Sequence, residues 1–373
     1  MIKIVHCISD TNFGGAGRVL LNYLAHFNAS DFSVTVVLPK GSRLLEYMNS
    51  ERYTVIEFDG LYDRSYDRGD VKSLKKLFQK LQPDIVHSHG ALSARIAAKK
   101  CGVKIVYTRH SVFDLPKWQT SFWGKKLLGS INRRYADKII AVSPAAKTLL
   151  TESGTDEQRI VVVFNGVEKI ERLPDSMLPA VRQRFQIDEN DFVFSIIARL
   201  EAVKGHRYLI DAAALLRSQG INCKILIAGT GGMEEQLKEF ALQKGVTDMV
   251  HFVGFIGNIS ELLSVTDVQI NASYGTEATS MALLEGFSVG IPAIVSDFGG
   301  NPYVVSDGNN GLIFKKRSST ALAQAMKKMM SDKEFCRNCG EKAEQIFYEK
   351  FTALKMTEQM ESIYNELSKG GNQ

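Results

Sequence analysis

Glu277 and Glu285 bracket the stretch EATSMALLEG, eight positions apart. If the whole stretch were helical, that spacing would separate them by about 12 Å and a little over two turns. Thr276, Thr279 and Ser280 are the candidate caps at its start. The backbone N–H groups of Ala278, Thr279, Ser280 and Met281 are then the orphan donors of a helix N-terminus, which favours an anion. A carboxylate repels phosphate but accepts well from sugar hydroxyls. Two carboxylates with an anion site between them suit a nucleotide diphosphate sugar. In isolation, a surface glutamate and a glutamate paired with lysine explain the same pattern.

Other loops carry chemistry of the same kind. ARLEAVKGH (198–206) places Arg199 and Lys204 beside a helix start, where two fixed cations could clamp a diphosphate. TNFGGAGR (11–18) puts Gly14 and Gly15 between a first strand and a helix, where backbone can approach a phosphate or a sugar. It is not a dinucleotide fingerprint. The G-x-G-x-x-G spacing is missing, and Pro39-Lys40 stands where an acidic ribose ligand is expected. AGTGGMEEQL (228–237) repeats the strand–glycine–helix pattern. His87 and His89 share one face of a strand, but no third metal ligand is apparent beside them, so packing or a contact with acceptor is the better reading. Cys336 and Cys339 lack a second pair and read as structural.

These loops need elements to hold them. IKIVHCI (2–8), SVTVVL (33–38), DIVHSH (84–89), KIVYTRH (104–110) and KIIAVS (138–143) are short apolar runs separated by helical segments. That alternation predicts a parallel sheet covered on both faces. The charged segment EKIERLPDSMLP reads as a linker, and a second series follows from FVFSIIARL (192–200) to GLIF (311–314). The chain is therefore read as α/β, with two doubly wound domains at 1–167 and 168–351. A last amphipathic helix over 352–373 carries Leu354, Met356, Met360 and Ile363 on its apolar face. Ligands of such sheets bind beyond the carboxyl ends of the strands, where the loops above lie.

The 373 residues suffice for two cores, and no apolar run is long enough to cross a bilayer. The start of the chain reads as a strand rather than a signal peptide, and five scattered cysteines suit a reducing compartment, so a cytoplasmic protein is expected. Net charge is +5, but residues 1–170 hold 25 Lys and Arg against 16 Asp and Glu, and the remainder 21 against 25. A basic first half implies an anionic partner. PKWQTSFWGKKLLGSINRRYADK (116–138) holds both tryptophans among basic residues, which suits peripheral contact with an anionic membrane. A helix packed on its domain with a solvated basic face is the plainer alternative.

Taken together, E-x7-E after a strand, Arg-x4-Lys some 75 residues before it and the glycine-rich first loop resemble the retaining glycosyltransferases of the GT-B fold, family GT4. DIVHSHG (84–90), TRHS (108–111), AVSPAAK (141–147) and FNGV (164–167) resemble segments of that family in the same order. The resemblance implies two Rossmann-like domains facing a central cleft, with acceptor on the N-terminal domain, donor on the C-terminal one, and the last helix packing back on the first. It implies that Arg199 and Lys204 neutralise the leaving diphosphate and that Glu277 contacts the donor sugar. Glu285 binds ribose, residues 278–281 bind phosphate, Gly14 and Gly15 lie near the donor phosphates, and His110 contacts the transferred sugar. Gly17-Arg18 stands where the family often has Glu-Arg, and EATS replaces a common Glu-Gly opening.

The implied reaction moves a sugar from a UDP-sugar, or another nucleotide diphosphate sugar, to a glycan or lipid-linked acceptor in surface polysaccharide or glycolipid synthesis. It uses no protein nucleophile. With no Asp-x-Asp motif, neither a metal nor another cofactor is expected, and no nucleic-acid partner. The protein would then work at the inner face of the cell membrane. A sugar-nucleotide epimerase and a non-catalytic sugar-nucleotide-binding module are the alternatives.

Overall fold

The computed structural model of the protein describes residues 1–48, 51–113 and 116–369. The chain divides into two compact units, Met1–Val167 with the last helix Ala353–Lys369, and Glu168–Thr352.

The first unit is built on seven parallel strands. They are β1 (Ile2–Ile8), β2 (Phe32–Pro39), β3 (Thr54–Phe58), β4 (Ile85–His89), β5 (Lys104–Arg109), β6 (Lys138–Ala141) and β7 (Ile160–Val162). Their spatial order is β3-β2-β1-β4-β5-β6-β7. Strands β1 and β4 are buried along nearly their whole length, which is why they read as unbroken apolar runs. Strand β3 was not visible as a run: TVIEF is short, sits at the sheet edge and is mostly accessible. One side of the sheet is filled by Val5, Val37, Val86 and Ile105 packing on Leu74, Phe78 and Ala94. On the last helix Met356, Met360, Ile363 and Tyr364 are buried and the helix packs on Gly15–His26. Leu354 departs from the apolar face read for it and points to solvent.

The second unit has six parallel strands, β8 (Val193–Ile197), β9 (Lys224–Ala228), β10 (Val250–Gly254), β11 (Val268–Asn271), β12 (Ala293–Ser296) and β13 (Gly311–Phe314). They lie in the order β10-β9-β8-β11-β12-β13. Phe194, Ile225, Ile227 and Ile270 form the core with Leu209, Leu216 and Met326 from the covering helices.

Both sheets reverse their winding at one place. Strand β1 has β2 on one side and β4 on the other, and β8 has β9 and β11. At such a switch point the loops leaving two neighbouring strands part in opposite directions and open a crevice. The four loops concerned carry Gly14 and Gly15, the end of the His87–His89 strand, Arg199 and Lys204, and Glu277.

Candidate active site

In the second unit the loop after β8 runs through Arg199 and a 3-10 turn, Ala202–Lys204, into the helix His206–Ser218. Gly205 makes that junction with φ +78, and a Cβ there would lie 2.1 Å from the carbonyl oxygen of Ala272. Only glycine allows both. Lys204 is thereby pressed against the loop after β11. Its Nζ donates to the Thr276 carbonyl and to Glu277 Oε2, each at 3.1 Å. Asn271 Nδ2 and Ser273 Oγ also donate to Glu277 Oε2, at 2.9 and 3.1 Å. Three donors converge on one carboxylate oxygen of a buried residue. Such an arrangement satisfies a buried charge and fixes its second oxygen in space.

The backbone around Glu277 is held from behind by Gly299 and Gly300. The N–H of Gly300 donates to the Glu277 carbonyl at 3.0 Å. A Cβ on Gly300 would sit 1.4 Å from the Ala278 carbonyl oxygen. Asn301 extends the polar layer, donating to Ser296 Oγ at 3.1 Å and reaching Asn271 Oδ1 at 3.4 Å. Asn271, Ser273 and Asn301 were not singled out from sequence. For Asn271 and Ser273 the available signal was their place at the carboxyl end of β11, in NAS.

The helix of EATSMALLEG is shorter than the eight-residue spacing allowed for. It spans Met281–Phe287, with Ser280 at the N-cap position making no side-chain cap bond. Glu277 lies in the preceding loop, held there by Lys204 rather than by helical geometry. Ala278, Thr279 and Met281 are buried and Ser280 is half-buried. Glu285 is buried inside the helix, and it too has a partner within the protein. Gly286 follows because a Cβ there would meet the Gln269 amide at 1.9 Å.

Arg199 stands differently from Lys204. Its side chain is 69% exposed and its Nη1 pairs with Glu201 Oε1 at 2.7 Å, whereas Lys204 is 15% exposed. One cation of the predicted clamp is held against the fold and the other lies in solvent beside Glu201.

In the first unit Gly14 is the N-cap of the helix Gly15–His26. Nothing lies within 4 Å of a Cβ built at either Gly14 or Gly15. The fold does not demand glycine there, and the space is available to a ligand. His110 follows β5, half-buried, and its Nε2 lies 2.8 Å from His89 Nδ1. His6 supplies the third imidazole missing from the sequence reading. Parallel pairing of β1 with β4 sets His6 beside His87. Ligand atoms of His6, His87 and His89 lie within 4.8 Å of one another. The His87 and His89 rings stack at 4.4 Å. His87 already meets Tyr364 Oη and Thr108 Oγ1, each at 2.6 Å. Burial holds His6 down at about 3 and His110 at about 4, and it keeps His87 and His89 well below the usual imidazole range. The whole cluster is neutral at physiological pH.

Cys336 and Cys339 are buried, with thiols that burial pushes up, to about 12 for Cys336. They join the helical face packed on the sheet.

Comparison with known proteins follows the same division of the chain. The model of "Glycosyltransferase Family 4" matches residues 13–169, and that of "Glycosyl transferases group 1" matches residues 179–346. The chain belongs to glycosyltransferase family 4. The transferase is 29% identical to EpsD of Bacillus subtilis, itself a candidate glycosyltransferase, over 79% of each chain. It is 24% identical to the Escherichia coli UDP-Gal:alpha-D-GlcNAc-diphosphoundecaprenol alpha-1,3-galactosyltransferase, over 98% of this chain and 97% of the other. Among solved structures it superposes on Anabaena HepE in complex with UDP with a TM-score of 0.84, at 20% identity, over 98% and 100% of the two chains. That likeness shows the GT-B fold.

Proposed function

We propose that the transferase is a retaining enzyme that moves a sugar from a nucleotide diphosphate sugar, a UDP-sugar in first place, to a hydroxyl of a glycan or lipid-linked acceptor. The observation that carries this reading is the Lys204–Glu277 pair. A half-buried ammonium and a carboxylate with one saturated oxygen are fixed at the switch point of the second sheet. Lys204 and Arg199 neutralise the diphosphate as it leaves, and backbone N–H groups of residues 278–281 take phosphate oxygens. Glu277 accepts from a hydroxyl of the donor sugar through Oε1, and Glu285 accepts from ribose. Gly14 and Gly15 leave room for the donor phosphates, and His110 meets a hydroxyl of the transferred sugar. Catalysis is then positioning and charge stabilisation, without a protein nucleophile and without a metal.

The choice of a UDP-sugar is supported by HepE, which has been solved with UDP and with UDP-glucose, and by the printed donor of the Escherichia coli relative. The acceptor named for that relative is alpha-D-GlcNAc-diphosphoundecaprenol. Surface polysaccharide or glycolipid synthesis at the inner face of the membrane is the corresponding role. In support, the helices Lys117–Thr120 and Phe122–Tyr135 present Trp118, Phe122, Trp123 and Leu127 to solvent, with Phe122 and Trp123 71% and 74% exposed. Lys126 Nζ lies 5.7 Å from the centre of the Trp123 ring. Exposed aromatic side chains flanked by lysines fit a membrane interface.

A thermal-shift panel of UDP-, GDP- and ADP-sugars tests the donor. A rise in melting temperature with the UDP-sugars is expected, and stabilisation by none of the three counts against the donor site. Turnover with EDTA present, and an unchanged anomeric configuration in the product by NMR, test metal independence and retention.

A further inference from the structure

His6, His89 and His110 form a string of imidazoles running from the buried middle of the first sheet to its carboxyl end. His6 Nδ1 lies 3.0 Å from His89 Nε2, and His89 Nδ1 lies 2.8 Å from His110 Nε2. His6 and His89 are buried, on neighbouring strands. Each ring is neutral, so each has one N–H and one lone pair. A nitrogen–nitrogen contact of this length holds one proton. The three tautomers are therefore locked together, and only two arrangements satisfy both contacts.

In the first, every ring carries its proton on Nδ1. His6 donates to His89, His89 donates to His110, and His110 has its own Nδ1–H outward. In the second, every ring carries its proton on Nε2 and the donation runs inward. It then ends on an N–H at His6 Nε2. That atom is buried and has no hydrogen-bond partner among the described residues. A buried N–H without an acceptor is rarer and costlier than a bare lone pair. The first arrangement wins.

We infer that His89, backed by His6, is a positioning residue that holds the His110 ring and keeps its proton on Nδ1, so that the site is offered an uncharged N–H donor. Such a donor selects a ligand oxygen with a free lone pair, as on a sugar hydroxyl or ring oxygen, and disfavours a group that can only donate. The functional meaning rests on His110 as a sugar contact. The tautomer itself does not.

Side-chain ¹⁵N–¹H NMR of ¹⁵N-histidine protein, without ligand, reads the tautomers directly. His6, His89 and His110 are expected as neutral Nδ1–H rings at pH 7, and an Nε2–H ring at His110 overturns the inference. His89→Asn places an amide where Nδ1 stood and should keep the His110 tautomer. His89→Leu should release it to a mixture or to Nε2–H, and an unchanged His110 signal in that variant also overturns the inference. With a UDP-sugar, kcat/KM is expected to fall by about tenfold in His89→Leu, the worth of one neutral hydrogen bond, and to stay within about threefold in His89→Asn. If His110→Ala leaves turnover intact, the sugar contact is wrong, while the wild-type spectrum still decides the string. That spectrum requires no variant to fold.

Discussion

Acidification should unfold the first unit well before the second. In the unfolded chain an imidazole titrates near 6.5. Burial holds His6 in the folded protein near 3 and His110 near 4, and it keeps His87 and His89 well below the usual range. The unfolded state therefore binds more protons as pH falls below 6.5. Stability contributed by the neutral rings is complete above that value and is lost progressively towards the folded values. At pH 5.5 each ring costs about 1.4 kcal/mol, so four cost about 6 kcal/mol. Only His206 is comparably buried in the second unit, held by burial and then by Lys204 at about 4, and it accounts for about 1.4 kcal/mol. Asp10 and Glu361 in the first unit and Asp267 in the second have carboxyls raised by burial, which favours the folded state in acid and offsets part of the loss in each. With a urea dependence of about 2 kcal/mol per molar, the first unit's midpoint should move by about 3 M between pH 7.5 and 5.5, and the second by under about 1 M. The assay is pulsed hydrogen exchange at one fixed labelling pH after equilibration in urea, read on peptides from β1 and β4 against β8 and β11. Equal shifts in the two units would refute the argument.

Lys204→Ala should lower kcat by about a hundredfold or more with a UDP-sugar, with a smaller change in UDP affinity, because a fixed charge at the leaving group acts most when charge develops; equal losses in steady-state rate and in calorimetric affinity would contradict that role. Gly300→Ala should displace the backbone carrying Glu277, since its Cβ would overlap the Ala278 carbonyl, and it should cost at least about 2 kcal/mol in urea melts or abolish donor-induced stabilisation; a variant that melts and binds like wild type shows the contact to be unimportant. Liposomes with anionic lipid should retain the protein at low salt and release it as salt rises, and replacing Phe122 and Trp123 by serine should abolish retention; failure of the wild type to sediment ends the membrane reading.

The sequence made the two sheets legible because parallel strands buried on both faces leave unbroken apolar runs, as in IKIVHCI and DIVHSH. Arg199, Lys204 and Glu277 could be found because each sits in a loop directly after such a run. What could not be read is lateral pairing. His6 and His87 are 81 positions apart and become neighbours only through the register of β1 on β4, so the histidine string had no trace in local spacing. The short helix at Met281 was hidden for a different reason. EATS has caps and helix formers enough to start a helix at Glu277, but the pull of Lys204, Asn271 and Ser273 on that carboxylate keeps it in the loop. Tertiary contacts overrode propensity there.

In the proposed donor site the two cations would meet a diphosphate in opposite ways. Both begin paired with a glutamate, so neither loop presents a bare positive charge. The Arg199–Glu201 pair is solvent-exposed and of the kind worth at most about 1 kcal/mol, so a diphosphate can exchange it at little cost. The Lys204–Glu277 pair is tied to the Thr276 carbonyl and to the donors of Asn271 and Ser273, and drawing Lys204 away would leave a buried carboxylate with one donor fewer. The ligand must therefore come to Lys204, while Arg199 comes to the ligand. In the proposed site Lys204 and Glu277 act as one unit, in which the glutamate proposed to receive the sugar also sets where the phosphate charge can rest. A donor too long or too short between its sugar hydroxyl and its β-phosphate would satisfy one of them and lose the other.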